Sequence, residues 1–140
     1  MRPQALDALR GSDLIIHAGD VGAPEVLEPL RALAPVHAVR GNVDQGAWAA
    51  SLPMTARVDI SGHAFHVLHI IAELDVDPAA AGLSAIVYGH SHKPSIETRA
   101  GVLRLNPGSA GPRRFSLPVT VARVKVSADG LRPEIVELQV

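Results

Sequence analysis

Residues of the types that bind divalent cations follow apolar runs at four separate places in the sequence. They are Asp20, Asn42, His69 and the closely spaced pair His90 and His92. Carboxylate and amide oxygens and imidazole nitrogens suit Mn, Fe, Zn or Ni. In open α/β sheets, ligands bind at the carboxyl ends of the strands, so we expect these side chains to meet at one sheet edge. The pattern therefore predicts a site for two divalent cations.

Each of these residues also has a simpler interpretation when it is taken alone. Asp20 is compatible with a cap on the following turn, and Asn42 with a turn position that tolerates left-handed dihedrals. His69 is compatible with a buried structural histidine. For His90 and His92 the ligand interpretation is favoured, because two histidines beside a glycine at a strand end have little packing rationale.

Other polar residues near these motifs are interpreted as structural. Asp44 is expected to be a loop residue or a partner of a ligand, and Asn106 to tie down the turn that follows it. The remaining histidines lack a partner at a useful spacing and are interpreted as structural or surface residues: His17, His37, His63 and His66.

The elements that must position these side chains alternate between helix and strand at first and are strands thereafter. Helices are predicted over 3–9 and 24–34, and Pro29 should kink or shorten the second. Strands are predicted over 14–18, 36–39, 55–60, 64–68, 84–88, 95–99, 102–105, 119–127 and 131–138. This order predicts an α/β fold in a single domain that spans residues 1–140.

Composition limits the class of function. The chain has 140 residues, is 47% hydrophobic and carries a formal net charge of −1, so no large basic field favours nucleic acid. Aromatic residues make up 3%, which argues against a surface on which bases stack. The absence of cysteine excludes disulfides and thiolate metal sites and fits a cytoplasmic location. No apolar stretch approaches about 18 residues, so no membrane span is expected.

Together these motifs resemble the calcineurin-like metallophosphoesterase superfamily, specifically its small bacterial and archaeal phosphodiesterase branch. The resemblance implies an α/β/β/α sandwich of two mixed sheets. It also implies phosphodiester hydrolysis by a metal-activated water. The segments that carry it, in chain order, are Gly19-Asp20, Gly41-Asn42, His69, residues 89–92 and residues 105–109.

The resemblance assigns a role to each candidate ligand. Asp20 would bridge two cations, Asn42, His69 and His90 would complete the second site, and His92 would bind the first cation. Asp20, Asn42, His69 and His90 form the implied catalytic set, and Asn42 would also contact substrate. The implied cofactors are two divalent cations, with Mn favoured and Ni, Fe, Zn or Mg as alternatives.

The implied substrate is a small phosphorylated molecule, without a stable nucleic-acid partner. Arg113 is a candidate for binding its phosphate, because a guanidinium group matches phosphate oxygens. Val43 stands where many superfamily members place a histidine that protonates the leaving group, so the general acid is not assigned.

One departure from the family concerns the start of the sequence. Family members begin with an apolar strand that ends in Asp-x-His, whereas this sequence begins Met1-Arg2-Pro3, just after where that motif would end. We therefore expect an N-terminally shortened domain in which the N-terminal strand is absent and the first cation site is weakened. Either the gene product starts upstream, or an exchanged strand or a homodimer contact fills the gap.

A second interpretation follows from the same departure. A retromer subunit that resembles these enzymes serves chiefly in protein assembly. Missing ligands and an exposed sheet edge would suit a similar non-catalytic, protein-binding scaffold on the same fold.

Overall fold

Short helices and a parallel strand pair form the first part of the chain. The computed structural model describes residues 2–111 and 117–140. Its helices are α1 (Pro3–Leu9), α2 (Leu27–Arg31) and α3 (Ala47–Ala50), and a 3₁₀ turn (Pro24–Val26) precedes α2. The second predicted helix is thus divided. Pro29 falls in the first turn of α2, where its missing N–H group removes no intrahelical hydrogen bond.

The strands of the described residues form three sheets. Their bounds are β1 (Ile15–His17), β2 (Val36–Ala38), β3 (Thr55–Ile60), β4 (His63–Leu68), β5 (Ala85–Val87), β6 (Ser95–Arg99), β7 (Val102–Asn106), β8 (Thr120–Ser127) and β9 (Gly130–Glu137). Strands β1 and β2 pair in parallel, and β8 and β9 form an antiparallel hairpin. The remaining strands form one mixed sheet in the order β3-β4-β5-β7-β6.

The centre of the five-stranded sheet consists of β4, β5 and β7, which are mutually parallel. Their carboxyl ends therefore lie at the same edge of the sheet. His69 follows β4 directly, the loop of residues 89–92 comes shortly after β5, and Asn106 ends β7. The topology thus brings three of the sequence motifs to one edge.

The two small sheets pack on the same face of the five-stranded sheet. Phe65 and Val87 of that face are buried with half-buried Ile16 of β1 and half-buried Val124 of β8. The opposite face is covered by the segment that follows β4, through residues such as Ile71. Helix α1 packs across the outside of both small sheets, because its side chains join the clusters of β1 and of β8.

A groove of about 1440 Å³ separates β1 from β8. The N–H group of Ile15 donates to the carbonyl of Pro35 at 2.9 Å, so the peptide groups of Ile15 face β2. Because peptide groups alternate in direction along a strand, those of Leu14 and Ile16 face the groove.

Strand β8, on the other side of the groove, also directs peptide groups into it. The carbonyl of Val119 accepts from the N–H group of Leu138 at 2.8 Å, so the peptide groups of alternate residues beginning with Val119 face β9. Those of Ala122, Val124 and Val126 therefore face the groove. Two open sheet edges thus line one cavity.

The predicted α/β class is confirmed, and a mixed sheet is present. The resemblance implied two mixed sheets, whereas the described residues form three, because the groove separates the β1–β2 pair from the β8–β9 hairpin. None of the helices in residues 2–111 and 117–140 has the length and apolar character needed to cross a bilayer.

Candidate functional site

Four loops bring an acidic residue, an amide and two imidazoles together. Ligand atoms of Asp20, His69 and His90 all lie within 4.8 Å of one another. The Oδ1 atom of Asn42 lies 2.9 Å from Nε2 of His69 and 3.2 Å from Nδ1 of His90. The sequence-predicted residues Asp20, Asn42, His69 and His90 are therefore brought to one place.

The orientation of the His69 ring makes this cluster rich in electron-pair donors. Its Nδ1 atom lies 2.8 Å from the carbonyl oxygen of Ala18, which only accepts hydrogen bonds, so Nδ1 carries the proton. Nε2 of the same ring lies 3.2 Å from Oδ2 of Asp20 and 2.9 Å from Oδ1 of Asn42. A positive centre between these atoms, either a proton on Nε2 or a bound cation, satisfies all three. This donor set fits a divalent cation that accepts nitrogen and oxygen ligands.

Exposure increases from one side of the cluster to the other. His69 is 6% exposed and the Asp20 side chain 20%, whereas His90 is exposed. The His69 and His90 rings meet edge to face, with their centroids 5.2 Å apart. A ligand can therefore approach from the His90 side, where the cluster opens into the groove.

The backbone beside Asp20 is shaped to admit the His69 ring. Gly19 has φ +103°, and a Cβ atom there would lie 2.6 Å from Nδ1 of His69. Asp20 itself has φ +56°, and its Oδ1 atom accepts the N–H group of Val43 at 3.0 Å. A Cβ atom on Gly41 would collide with the backbone nitrogen and the carboxylate of Asp20. Glycine is therefore required at positions 19 and 41.

Asp44 holds two ligand-bearing loops together. Its carboxylate accepts the N–H groups of Val21 at 3.1 Å, Gly22 at 2.9 Å and Gly41 at 2.9 Å, and the residue is 5% exposed. Burial by itself raises the pKa of Asp44, but these three hydrogen bonds outweigh it and leave the pKa below its ordinary value. Of the two interpretations offered by the sequence, the structure selects the partner of a ligand loop.

His17 lies beside the same loops, which no local pattern in the sequence indicated. Its Nδ1 atom accepts the N–H group of Gly19 at 3.3 Å. Burial lowers the pKa of His17, and the nearby carboxylates of Asp44 and Asp20 oppose that shift. The contact of His17 with Gly19 depends on how the chain turns at Gly19, so the spacing of residues in the sequence could not reveal it.

The roles of all the predicted site residues remain predictions, and two of these residues are not part of the cluster. His92 lines the same groove as Asp20, but it is outside the cluster of three described residues that share 4.8 Å. Arg113 lies outside the described residues.

The geometry defines an α/β protein with a candidate nitrogen and oxygen site for a cation at the carboxyl edge of its parallel strands. The family model described as the calcineurin-like phosphoesterase superfamily domain matches residues 1–129. The chain belongs to this superfamily. The resemblance inferred from the motifs is thereby confirmed.

A curated relative agrees with this assignment, and two solved structures share the fold. The chain is 30% identical over 142 residues to a probable metallophosphoesterase of Methanothermobacter thermautotrophicus, a match that covers 96% of this chain and 81% of the relative. The fold is similar to that of an archaeal phosphodiesterase, with a TM-score of 0.77, 19% identity and coverage of 95% and 90%. It is also similar to Vps29 of Entamoeba histolytica in complex with Zn²⁺, with a TM-score of 0.74, 21% identity and coverage of 98% and 90%.

Proposed function

We propose that this protein is a metal-dependent phosphoesterase that hydrolyses phosphodiesters at a site for two divalent cations. The observation that carries the proposal is the convergence of Asp20, Asn42, His69 and His90, with Nε2 of His69 within 3.2 Å of two oxygen atoms. The relative named as a probable metallophosphoesterase and the archaeal phosphodiesterase of the same fold support it.

Each residue of the cluster has a proposed role. Asp20 would bridge the two cations, while His69 and His90 would bind the second, and His92 the first. When bound, such cations lower the pKa of coordinated water and neutralise charge on a phosphate. Because Oδ1 of Asn42 faces the imidazoles, its Nδ2 group is the one that can donate to a substrate oxygen. Mn is the proposed cation, with Ni, Fe, Zn or Mg as alternatives.

The proposed substrate is a small phosphorylated molecule that enters from the exposed side of His90. Arg113 is proposed to bind its phosphate. We also propose a single domain with the α/β/β/α layers of the family and a cytoplasmic location, the latter in keeping with the absence of cysteine.

The direct test is hydrolysis of bis(para-nitrophenyl) phosphate by protein loaded with Mn²⁺. We expect cation-dependent turnover that falls by more than about a hundredfold in Asp20→Asn. The matched control is Asp7→Asn on the exposed face of α1, where the lost ion pair with Arg10 is solvated. Failure of the loaded protein to hydrolyse either aryl phosphodiesters or aryl phosphomonoesters would overturn the proposal.

A second candidate function, a protein-binding scaffold, is favoured by the groove between β1 and β8. Its two walls direct peptide groups at the cavity, and an extended strand could pair with them. The partner that we propose is a second copy of the chain, because exchange of a strand would satisfy the open edges of both copies reciprocally.

The oligomeric state tests this candidate. We expect a dimer in sedimentation equilibrium that dissociates into folded monomers in Val124→Pro. Proline there removes an N–H group that faces the groove and none that bonds to β9. Val124→Ala, which keeps that N–H group, serves as the control. A monomer that holds two cations tightly would instead favour the enzyme alone.

A further inference from the structure

The loop that presents His90 has a strained backbone. The N–H group of Ser91 donates to the carbonyl of Gly89 at 3.0 Å, which encloses His90 in a three-residue turn. His90 has φ +75°, the value of the rarer and more strained kind of γ-turn. His92 also has a positive φ, +62°. The loop thus holds two residues other than glycine in conformations that such residues avoid.

The Asn106 side chain forms hydrogen bonds with the residues at both ends of this turn, Gly89 and Ser91. Its Nδ2 group donates to the carbonyl of Gly89 at 3.3 Å and to Oγ of Ser91 at 3.1 Å. Its Oδ1 atom accepts the N–H group of Gly108 at 2.9 Å. Because the Gly89 carbonyl only accepts and the Gly108 N–H only donates, the amide has one orientation. Asn106 is 1% exposed, so its own end of all three bonds is shielded from water.

The turn determines where the His90 ring lies. In the strained conformation, Nδ1 of His90 is 3.2 Å from Oδ1 of Asn42, and the ring packs edge to face on His69. Backbone strain of this kind persists only where surrounding contacts fix it. The bonds from Asn106 are such contacts, and they come from β7, a rigid strand of the sheet.

We propose that Asn106 is a positioning residue that holds His90 in the strained turn and so forms the ligand cluster before any cation binds. The proposal rests on the proposed function only in treating the cluster as a cation site. The placement of His90 is a property of the chain itself. Asn106 therefore acts through His90, without contact to substrate.

The test compares three variants. Asn106→Asp keeps the size of the side chain and the acceptor for Gly108 but has no N–H group to donate. Thr120→Val is the matched control. Thr120 is also buried, and its hydroxyl donates to the carbonyl of Pro107, next to the Gly108 N–H group that Asn106 accepts. Ser91→Ala, at an exposed position, removes one contact of Asn106 together with the hydrogen bond that Oγ of Ser91 accepts from the N–H group of Lys93.

Two readouts separate positioning from general stability. The first is the nuclear Overhauser effect between the His69 and His90 rings in protein stripped of cations. The second is Mn²⁺ affinity by calorimetry. For Asn106→Asp we expect loss of the ring contact and a fall in affinity of about tenfold or more. The negative charge of the new aspartate would by itself raise the affinity for Mn²⁺. A lower Mn²⁺ affinity would therefore reflect displacement of His90. Ser91→Ala should be intermediate, and Thr120→Val should retain both properties.

The outcomes distinguish this proposal from the proposed function. If Asn106→Asp keeps the ring contact, the proposal is overturned whatever the cation data show. If that variant does not fold, an unchanged ring contact in Ser91→Ala overturns it. If the ring contact is lost but the wild-type chain binds no divalent cation, the positioning role stands and the proposed function fails.

Discussion

Nε2 of His69 lies 3.2 Å from Oδ2 of Asp20, although the two residues belong to loops of different sheets. Asp20 follows β1 of the small parallel sheet, and His69 follows β4 of the five-stranded sheet. The site therefore spans the boundary between two layers of the fold. A cation bound there would connect the layers.

Divalent cations should consequently stabilise the fold. A ligand at 100 times its Kd adds about 2.7 kcal/mol to the free energy of unfolding, which corresponds to a rise of several degrees in Tm. We expect Mn²⁺ to produce this rise in wild-type protein and EDTA to reverse it. Asp20→Asn should show little response. An equal rise in that variant would place the stabilising cation elsewhere.

Asn42→Ala should weaken cation binding without unfolding the protein. The substitution removes the oxygen that faces both imidazoles, so we expect Mn²⁺ affinity to fall by about tenfold or more. Calorimetry measures the affinity, and Val43→Ala, at a neighbouring side chain that is 56% exposed, is the control. Equal affinity in both variants would remove Asn42 from the ligand set.

Gly41→Ala should damage the site through shape alone. The added methyl group would collide with the backbone and carboxylate of Asp20, so the Asp20 loop must shift. We expect loss of Mn²⁺ binding in calorimetry. Gly111→Ala is the control, because its Cβ atom would make an ordinary contact of 3.5 Å with the Ser109 hydroxyl. Wild-type affinity in Gly41→Ala would show that the loop tolerates the shift.

Asp44→Asn should remove an acid-sensitive part of the stability. The amide keeps one acceptor oxygen, so it leaves buried N–H groups unsatisfied at a cost of roughly 2–4 kcal/mol near pH 7. The pKa of Asp44 is lower in the folded state than its ordinary value of 3.8. Its contribution is therefore complete above that value and is lost as the pH falls through the folded pKa.

Urea unfolding of cation-free protein across this pH range measures the effect. The two proteins should differ at neutral pH and converge as the pH falls through the folded pKa of Asp44. The lowered pKa of His17 destabilises the fold in acid in both proteins, and more strongly in Asp44→Asn, because the carboxylate that opposes this shift is lost. The two effects separate by pH range, since the ordinary pKa is 6.5 for His17 and 3.8 for Asp44. A difference that stays constant with pH would contradict the role assigned to the carboxylate.

Local sequence signals located most of the elements. Helix α1 and strands β3 and β6 have the predicted bounds, because proline, alternating apolar residues and glycine turns mark them directly. The four-residue helix α3 was not predicted, since so short a segment has no periodicity to detect. The convergence of Asp20, Asn42, His69 and His90 was predicted, because each follows an apolar strand at the same type of sheet edge.

The residues that support the site were less predictable. Asp44 was assigned only as a loop residue or partner, and its three backbone bonds to two loops depend on how those loops meet. Asn106 was expected to tie down the turn after it, and it does so through Gly108. Its other hydrogen bonds, to the turn of His90, connect the end of β7 with the loop after β5, and these strands are not consecutive in the sequence. Such contacts carry no local pattern.

Anomalous diffraction from crystals grown with Mn²⁺ would locate the bound cations themselves. We expect a Mn²⁺ peak within bonding distance of the Asp20 carboxylate and Nε2 of His69, with Asn42 and His90 completing the second cation site. A peak at other residues, or none at Mn²⁺ concentrations that saturate binding in solution, would contradict it.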